Sequence, residues 1–403
     1  MTDLQSLLAT ARTYREAGSW ATAAKLYATA NEMDAASWEV KHNLALCRYA
    51  LGETDLAIRY TAEALSLKRD LWQSHMLQAR ILKDKGRIED CETALRGVIR
   101  YSPTNGPALL MLADIEMNEF GDPLSAASRV APLLGQAQHR ADAELTILMS
   151  KLYDRDESDE ELSAALIAFA RANLTLPGFR FSADAVRRAA SVRRDDKPRI
   201  GLLSPLFCQS PVYYLTFGAL RPLADKVDIV VFNRGAREDY ATRSFHSIAR
   251  EWCDVRHLGA EALANEIKSR AIDVMFDLGG WSDPVGMKAL SAKPAPVQYK
   301  WVGGQSATTG LDCFDGFLTD AQHSPAGAER LHTEPLIRLA GGYVSYESDI
   351  PAAAPGARKS VATGDDLAVA SNPAKLSRAF LRAAGKAASG RKSGLVFIDR
   401  RFT

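Results

Sequence analysis

The sequence predicts an α-helical repeat solenoid followed by an α/β lobe built on a parallel sheet. Three observations carry that expectation. Small residues recur every 34 positions through the first third of the chain. From Ile200 onward, short apolar runs alternate with amphipathic helical stretches. Between the two, a basic stretch, "RRAASVRRDDKPR", interrupts both patterns and reads as a connector.

The repeats come first. Gly18, Gly52 and Gly86 are spaced by 34, and so are Ala11, Ala45, Ala79 and Ala113. Further columns agree: Ala23, Ala57 and Cys91; Tyr27, Thr61 and Leu95; Ala30, Ala64 and Val98. Alanine at a crossing lets two antiparallel helices approach closely, and glycine suits the turn between them. This pattern resembles the tetratricopeptide repeat. Each such pair hides its apolar face only by stacking on its neighbour. Three repeats are clear in residues 1–137, with Pro103 where the third ends and a degenerate fourth, in which "EFGDPLSAA" replaces the turn. A helical connector is expected over 138–195, where "AELTILMSKLYDRD" and "DEELSAALIAFARANL" are apolar at helical spacing. The acidic run "DRDESDEE" reads as a solvated turn and helix start. A groove on such an array fits a protein or peptide; the bland alternative is that the helices only brace the rest of the chain.

The α/β lobe is expected over 196–350. Its strands read as "RIGLLS", "VDIVVFN", "IDVMFDLGG", "VQYKWV", "GFLTD" and "LIRLAGG". Between them, "VYYLTFGALRPLA", "YATRSFHSIAREW" and "AEALANEIKSR" read as helices. Strand and helix in alternation argue for a parallel sheet covered on both faces. Ligands of such sheets bind at loops leaving the carboxyl ends of strands. Those loops are Ser204–Pro211, Asn233–Arg237, Leu278–Pro284 and Gly303–Gly310.

Composition sets limits on function. A net charge of +1 argues against a nucleic-acid partner. The five cysteines have neither CxxC pairing nor a histidine at ligand spacing, so no metal site and a reduced, cytoplasmic setting are expected. No run of about twenty apolar residues suggests a membrane span, and the N-terminal segment does not read as a signal peptide.

The block "KPAPVQYKWVGGQSATTGLDCFDGFLTDAQHSP", with "PRIGLLSPLFCQSPV" and "IDVMFDLGGWSD" before it, resembles the protein O-GlcNAc transferase family, repeats included. Pro294-Ala295-Pro296, Val297-Gln298, Trp301, Thr308-Thr309-Gly310, Asp312, Asp315, Thr319-Asp320 and Pro325 stand in the family's register. The resemblance implies a Rossmann-like GT-B lobe and a UDP-GlcNAc-type donor, with no other cofactor. It implies inverting transfer of the sugar to Ser or Thr of a protein held by the repeats. It places Gln209, Pro211, Trp281, Ser282, Gly303, Gly304, Thr308, Thr309 and Gly310 on the substrate side. Ser210 falls at the position of a histidine that lines the acceptor-sugar site. Asn372 and Lys375 fall on nucleotide contacts, in a segment 360–403 that matches the opening of a second GT-B lobe.

There are departures. The family's "D-F-x-x-H-P" is here Leu206-Phe207-Cys208-Gln209-Ser210-Pro211, and one residue is added between Trp301 and Gly310. The family's later "H-T-T-G-x-D" loop is not in these 403 residues. A serine has neither the reach nor the near-neutral pKa of histidine, so transfer is expected to be impaired. Without the resemblance, Gly303–Gly310 reads as a tight strand-to-helix turn capped by Thr308 or Thr309, and Lys375 as a helix-start lysine. Two readings therefore stand: an O-GlcNAc-transferase-type enzyme, and a degenerate adaptor whose repeats still bind a protein. A homo-oligomer is left open.

Overall fold

The structure, a computed structural model, describes residues 3–190, 197–303, 307–346, 367–389 and 395–397. It divides into two compact units, Met1–Arg155 with Ala362–Thr403, and Asp156–Val361.

The first unit opens with paired helices: α1 (Leu4–Glu16) and α2 (Trp20–Met33), α3 (Trp38–Ala50) and α4 (Thr54–Leu67), α5 (Trp72–Asp84) and α6 (Ile88–Tyr101). A fourth pair, α7 (Gly106–Asn118) and α8 (Pro123–Val130), precedes α9 (Arg140–Lys151). The first helices of the four pairs start 34 residues apart, as the repeat reading requires. Gly18, Gly52 and Gly86 take the left-handed conformation in the turns, with φ of +73°, +79° and +69°. In the degenerate repeat the turn glycine arrives one residue late, as Gly121 with φ +71°. Asp122 then caps α8 by accepting from the Ser125 amide, with Pro123 at the first helical position.

Ala11, Ala45, Ala79 and Ala113 have no exposed surface, and neither have Ala23, Ala57, Cys91, Ala30, Ala64 and Val98. The recurring columns are thus the helix crossings themselves. Polar links join the first helices of successive pairs. Arg15 donates to Asn43 at 2.5 Å, Tyr49 to Asp84 at 2.6 Å and Lys83 to Asp114 at 2.6 Å. The His42 ring meets the buried Ser74 hydroxyl at 2.8 Å.

The second unit begins with α10 (Asp159–Asn173), whose start is fixed by a capping box between Ser158 and Glu161. The acidic run therefore supplies a helix N-terminus, as the sequence suggests. After α11 (Ala183–Ala190) come β1 (Arg199–Ser204), α12 (Pro211–Leu220), β2 (Asp228–Asn233), α13 (Tyr240–Ile248), β3 (Glu251–Asp254) and α14 (Ala260–Ser269). They are followed by β4 (Val274–Asp277), α15 (Pro284–Ser291), β5 (Val297–Lys300), β6 (Gly316–Thr319) and β7 (Leu336–Arg338). The seven strands pair in parallel in the order β3-β2-β1-β4-β5-β6-β7. The order reverses between β1 and β4, so the loops after these two strands flank the switch point where ligands of such sheets bind.

One element differs from the sequence expectation. "YATRSFHSIAREW" reads as one helix, but α13 stops at Ile248 and Glu251 opens the edge strand β3. Pairing decides it. The Arg250 amide donates to the Ile229 carbonyl at 2.7 Å, and Trp252 sits opposite Val231. Trp252 also packs edge-on against Phe207, with centroids 5.9 Å apart. Sheet hydrogen bonds and aromatic burial outweigh a short run of helical spacing.

The first unit closes with β8 (Leu367–Val369), α16 (Arg378–Ser389) and β9 (Leu395–Phe397); β8 and β9 form a two-stranded parallel sheet. The 3₁₀ turn Pro373–Lys375 lies against the turn of the fourth repeat. A Cβ on Gly121 would stand 2.4 Å from that of Pro373. Arg378 pairs with Asp154 at 2.8 Å. All five cysteines are buried and free. Among the described residues, no helix is long and apolar enough to cross a membrane.

Two outcomes are expected in this unit. Ala45→Trp should overpack the α3 crossing and cost about 1–3 kcal/mol or more, read as a lower melting temperature; an unchanged melt would mean the crossing is elsewhere. His42 is held neutral, its pKa lowered to about 4 by burial and then by Arg15. Its folded-state pKa lies below its ordinary one, so the unfolded chain binds the extra proton between the two values. Stability should therefore fall as pH drops from about 6.5 toward 4, with no further loss from this group below that. His42→Gln should flatten that part of the stability profile measured by urea unfolding.

Candidate functional site

The four loops expected to form a site leave the carboxyl ends of β1, β2, β4 and β5, and parallel pairing brings them to one edge of the sheet. After β1, Phe207 is buried edge-on against Phe245 at 5.0 Å, and Leu206 packs beside the same core. Pro211 is the first residue of α12 and Ser210 its N-cap. The Ser210 hydroxyl is engaged on both sides, donating to the Leu206 carbonyl at 2.9 Å and accepting from the Val212 amide at 3.2 Å. Gln209 is exposed. Its amide donates to Asp239, and its side chain donates to the Tyr214 hydroxyl at 3.2 Å. Burial pushes the neighbouring Cys208 thiol up, away from reactivity.

The loops after β4 and β5 meet backbone to backbone. Gly303 has φ +84°, and a Cβ there would lie 1.6 Å from the Leu278 carbonyl oxygen. Gly280, with φ +51°, would put a Cβ 2.9 Å from Lys300 Cε and 3.0 Å from the Gly303 carbonyl. Beneath them lies a buried charge pair. Asp277 and Lys300 stand opposite each other in the β4–β5 register, 3.8 Å apart and almost wholly inaccessible. The Asp277 carboxylate accepts from the Gly279 amide at 2.9 Å and the Gly280 amide at 3.0 Å. The Lys300 ammonium donates to the carbonyls of Trp301, Val302 and Gly303 at 2.9, 2.5 and 3.0 Å. Burial lowers the Lys300 pKa, opposed by Asp277 and Glu334. Alongside, Arg234 pairs with the buried Asp283 at 2.8 Å, and burial raises that carboxyl against the pull of the guanidinium.

Trp281 is buried and donates its indole N–H to the Thr308 carbonyl at 2.9 Å; the Ser282 hydroxyl donates to the Gly279 carbonyl at 2.6 Å. The hydroxyls of Thr308 and Thr309 both donate to the buried carboxylate of Glu334, which also accepts from the Thr309 amide at 2.7 Å. Burial alone would raise Glu334, but the nearby His332 ring, 3.7 Å away, and the hydrogen bonds from Thr309 and Thr308 outweigh it and hold the carboxyl below its ordinary value. Gly310, with φ +71°, presses on α10, where a Cβ would stand 2.8 Å from that of Ala170. Gly304 lies outside the described residues.

Asn372 and Lys375 belong to the first unit. The Asn372 side chain accepts from the Ala374 amide at 3.0 Å, capping its own short turn. The structure thus brings Gln209, Ser210, Pro211, Trp281, Ser282, Gly303, Thr308, Thr309 and Gly310 into one unit, and Asn372 and Lys375 into the other. Among the described residues, no group of three or more His, Cys, Asp or Glu side chains could hold a metal ion. Three residues escaped the sequence reading: Asp277, Lys300 and Glu334. For Asp277 a signal existed, since it is the lone charge in an otherwise apolar strand, "VMFD"; Lys300 ends a strand that already carries Gln298 and gave none. Glu334 carried none, being 26 and 25 residues from Thr308 and Thr309, which it holds.

The sequence profile of glycosyl transferase family 41 matches residues 167–345. A probable UDP-N-acetylglucosamine–peptide N-acetylglucosaminyltransferase, SPINDLY of Solanum lycopersicum, is 28% identical over 152 residues, 36% of this chain and 16% of that protein. A second such protein, SEC of Arabidopsis thaliana, is 26% identical over 145 residues, 35% of this chain and 14% of its own length. The chain therefore aligns with about a sixth of these relatives. Among solved structures, an O-GlcNAc transferase mutant of Thermobaculum terrenum superposes with a TM-score of 0.49 at 20% identity, covering 98% of this chain and 70% of that one. The profile match over residues 167–345 and the curated relatives support the O-GlcNAc transferase family, glycosyl transferase family 41, for the matched part of this chain.

Proposed function

We propose that the chain serves protein O-glycosylation of the O-GlcNAc transferase type. In this reading a sugar passes from a UDP-GlcNAc-type donor to a Ser or Thr hydroxyl of a protein held by the repeats. The observation that carries it is the gathering of four loops at one edge of the parallel sheet, within the segment that matches the family. The hydroxyl attacks the anomeric carbon as the nucleoside diphosphate leaves, so the developing negative charge needs oriented donors. Asn372 and Lys375 are the proposed contacts to the nucleotide, and a cytoplasmic setting accords with five free thiols.

A second reading is favoured by Ser210. At the position of the family histidine stands a hydroxyl already committed to a helix cap. Thr308 and Thr309 are likewise engaged, by Glu334. A chain in this state recruits a protein through its repeats, and its catalysis is gone.

The two readings separate in one experiment. The full chain, with its co-purified protein, is supplied with UDP-GlcNAc labelled in the sugar. General acid–base groups contribute about 10²–10⁴-fold. The expected transfer is therefore at least about a hundredfold below that of a relative with histidine at this position, rising in Ser210→His and abolished by Lys375→Ala. Transfer as fast as the histidine-bearing relative would refute the assignment of Ser210. No label at all, with the partner still bound, would leave the adaptor.

A further inference from the structure

We propose that Lys300 is the positioning residue of the turn after β5, acting as an internal cation around which Trp301, Val302 and Gly303 fold. The proposal depends on the glycosyl-transfer reading only in treating this turn as part of the ligand edge. Its physical basis is the valence of the ammonium group. The ammonium donates to three successive backbone carbonyls at 2.9, 2.5 and 3.0 Å, with the Asp277 carbonyl more distant at 3.5 Å and the Asp277 carboxylate 3.8 Å away. A neutral amine would direct its lone pair at one of those oxygens, so the arrangement fits the charged form. Three successive carbonyl oxygens turned toward one point repel one another, and a cation among them offsets that repulsion, as for an unhydrated ion among the backbone carbonyls of a channel filter. Here the chain supplies that cation itself, from the last residue of the strand it folds over.

The consequence reaches the neighbouring loop. Turning the Gly303 carbonyl inward brings Gly303 against the Leu278 carbonyl and Gly280 against the Lys300 stem, contacts that leave no room for a side chain at either glycine. Asp277 completes the device by holding the Gly279 and Gly280 amides from the other side. One charge pair thereby sets both turns that meet at this edge. Lys300 touches no substrate in this role; it shapes the backbone.

The test removes the side chain and returns its charge. Lys300→Ala in the full chain deletes the atoms that n-propylammonium carries. That ion should raise the melting temperature of the variant and leave the wild type unmoved, whereas n-propanol (the same stem without charge) and tetramethylammonium (charge without N–H) should not. Equal responses to the three additives, or a chain that stays unfolded in all of them, would overturn the proposal. Lys300→Met keeps the length and loses the charge. Its amides over 301–303 should exchange hydrogen faster by roughly tenfold or more, with exchange in the repeat helices unchanged. Exchange matching the wild type would overturn the proposal as well. Neither readout involves a sugar nucleotide, so failure here and failure of the glycosyl-transfer reading are separate results.

Discussion

The carboxyl edge of the sheet depends on a charge pair buried between neighbouring parallel strands. Asp277 and Lys300 are opposite in register and both withdrawn from water. Two isolated ions in that position would be strongly unfavourable, because desolvation exceeds their mutual attraction unless every remaining donor and acceptor is satisfied. The structure satisfies them with backbone. The carboxylate receives the amides that come after β4, and the ammonium receives the carbonyls that come after β5. Breaking such a pair from one side typically costs about 3–5 kcal/mol, because the other ion is left uncompensated. The constraint therefore acts on loop conformation, and loss of either partner alone is destabilising. It explains why glycine is required at 280 and 303, where each residue combines positive φ with contacts too close for a Cβ.

Much of this was legible in the sequence, and the reasons differ by element. The repeat columns could be read because a crossing of two helices tolerates only small side chains, and the same crossing recurs every 34 residues; Ala11, Ala45, Ala79 and Ala113 record it directly. The strands β1, β2, β4, β5, β6 and β7 could be read as apolar runs of the right length. Strand β3 could not, because an edge strand of four residues is stabilised by what it pairs with, and Val231 opposite Trp252 is a register fact rather than a local one. Register also hid the meaning of Lys300. A lysine in "VQYKWV" looks like a solvent-facing position until Asp277 is known to lie beside it. Ser210 was found by its place in the motif. That its hydroxyl closes a cap is clear only once α12 is known to start at Pro211.

The threonine pair shows how one motif can carry both sequence specificity and structural necessity. The sequence reading places Thr308 and Thr309 on the substrate side by resemblance, or else as caps of a tight turn. In the fold they are donors to a carboxylate with no exposed surface on its side chain. Glu334 needs them, because an ionised carboxylate at that depth is tolerable only with several hydrogen bonds. Its partners come from the β5–β6 loop and from the turn just before β7. Gly310 adds a third surface by admitting α10 against the same loop. Thr308, Thr309 and Gly310 therefore tie the loop after β5 to α10 and to the segment leading into β7.

With these hydroxyls internally engaged, the chemistry left at the edge differs from the one the motif suggests. Ser210, Ser282, Thr308 and Thr309 are all bonded within the chain. Trp281 points inward to a carbonyl. Among the described residues, the loops after β4 and β5 bring backbone close to backbone at Gly280 and Gly303. Backbone of this kind recognises shape and charge rather than a particular functional group, since peptide N–H and C=O groups are the same in every residue. Selectivity at such an edge must come from how tightly the turns are held. Holding them is the work of the Asp277–Lys300 pair and of Glu334, three buried charges that meet no ligand themselves.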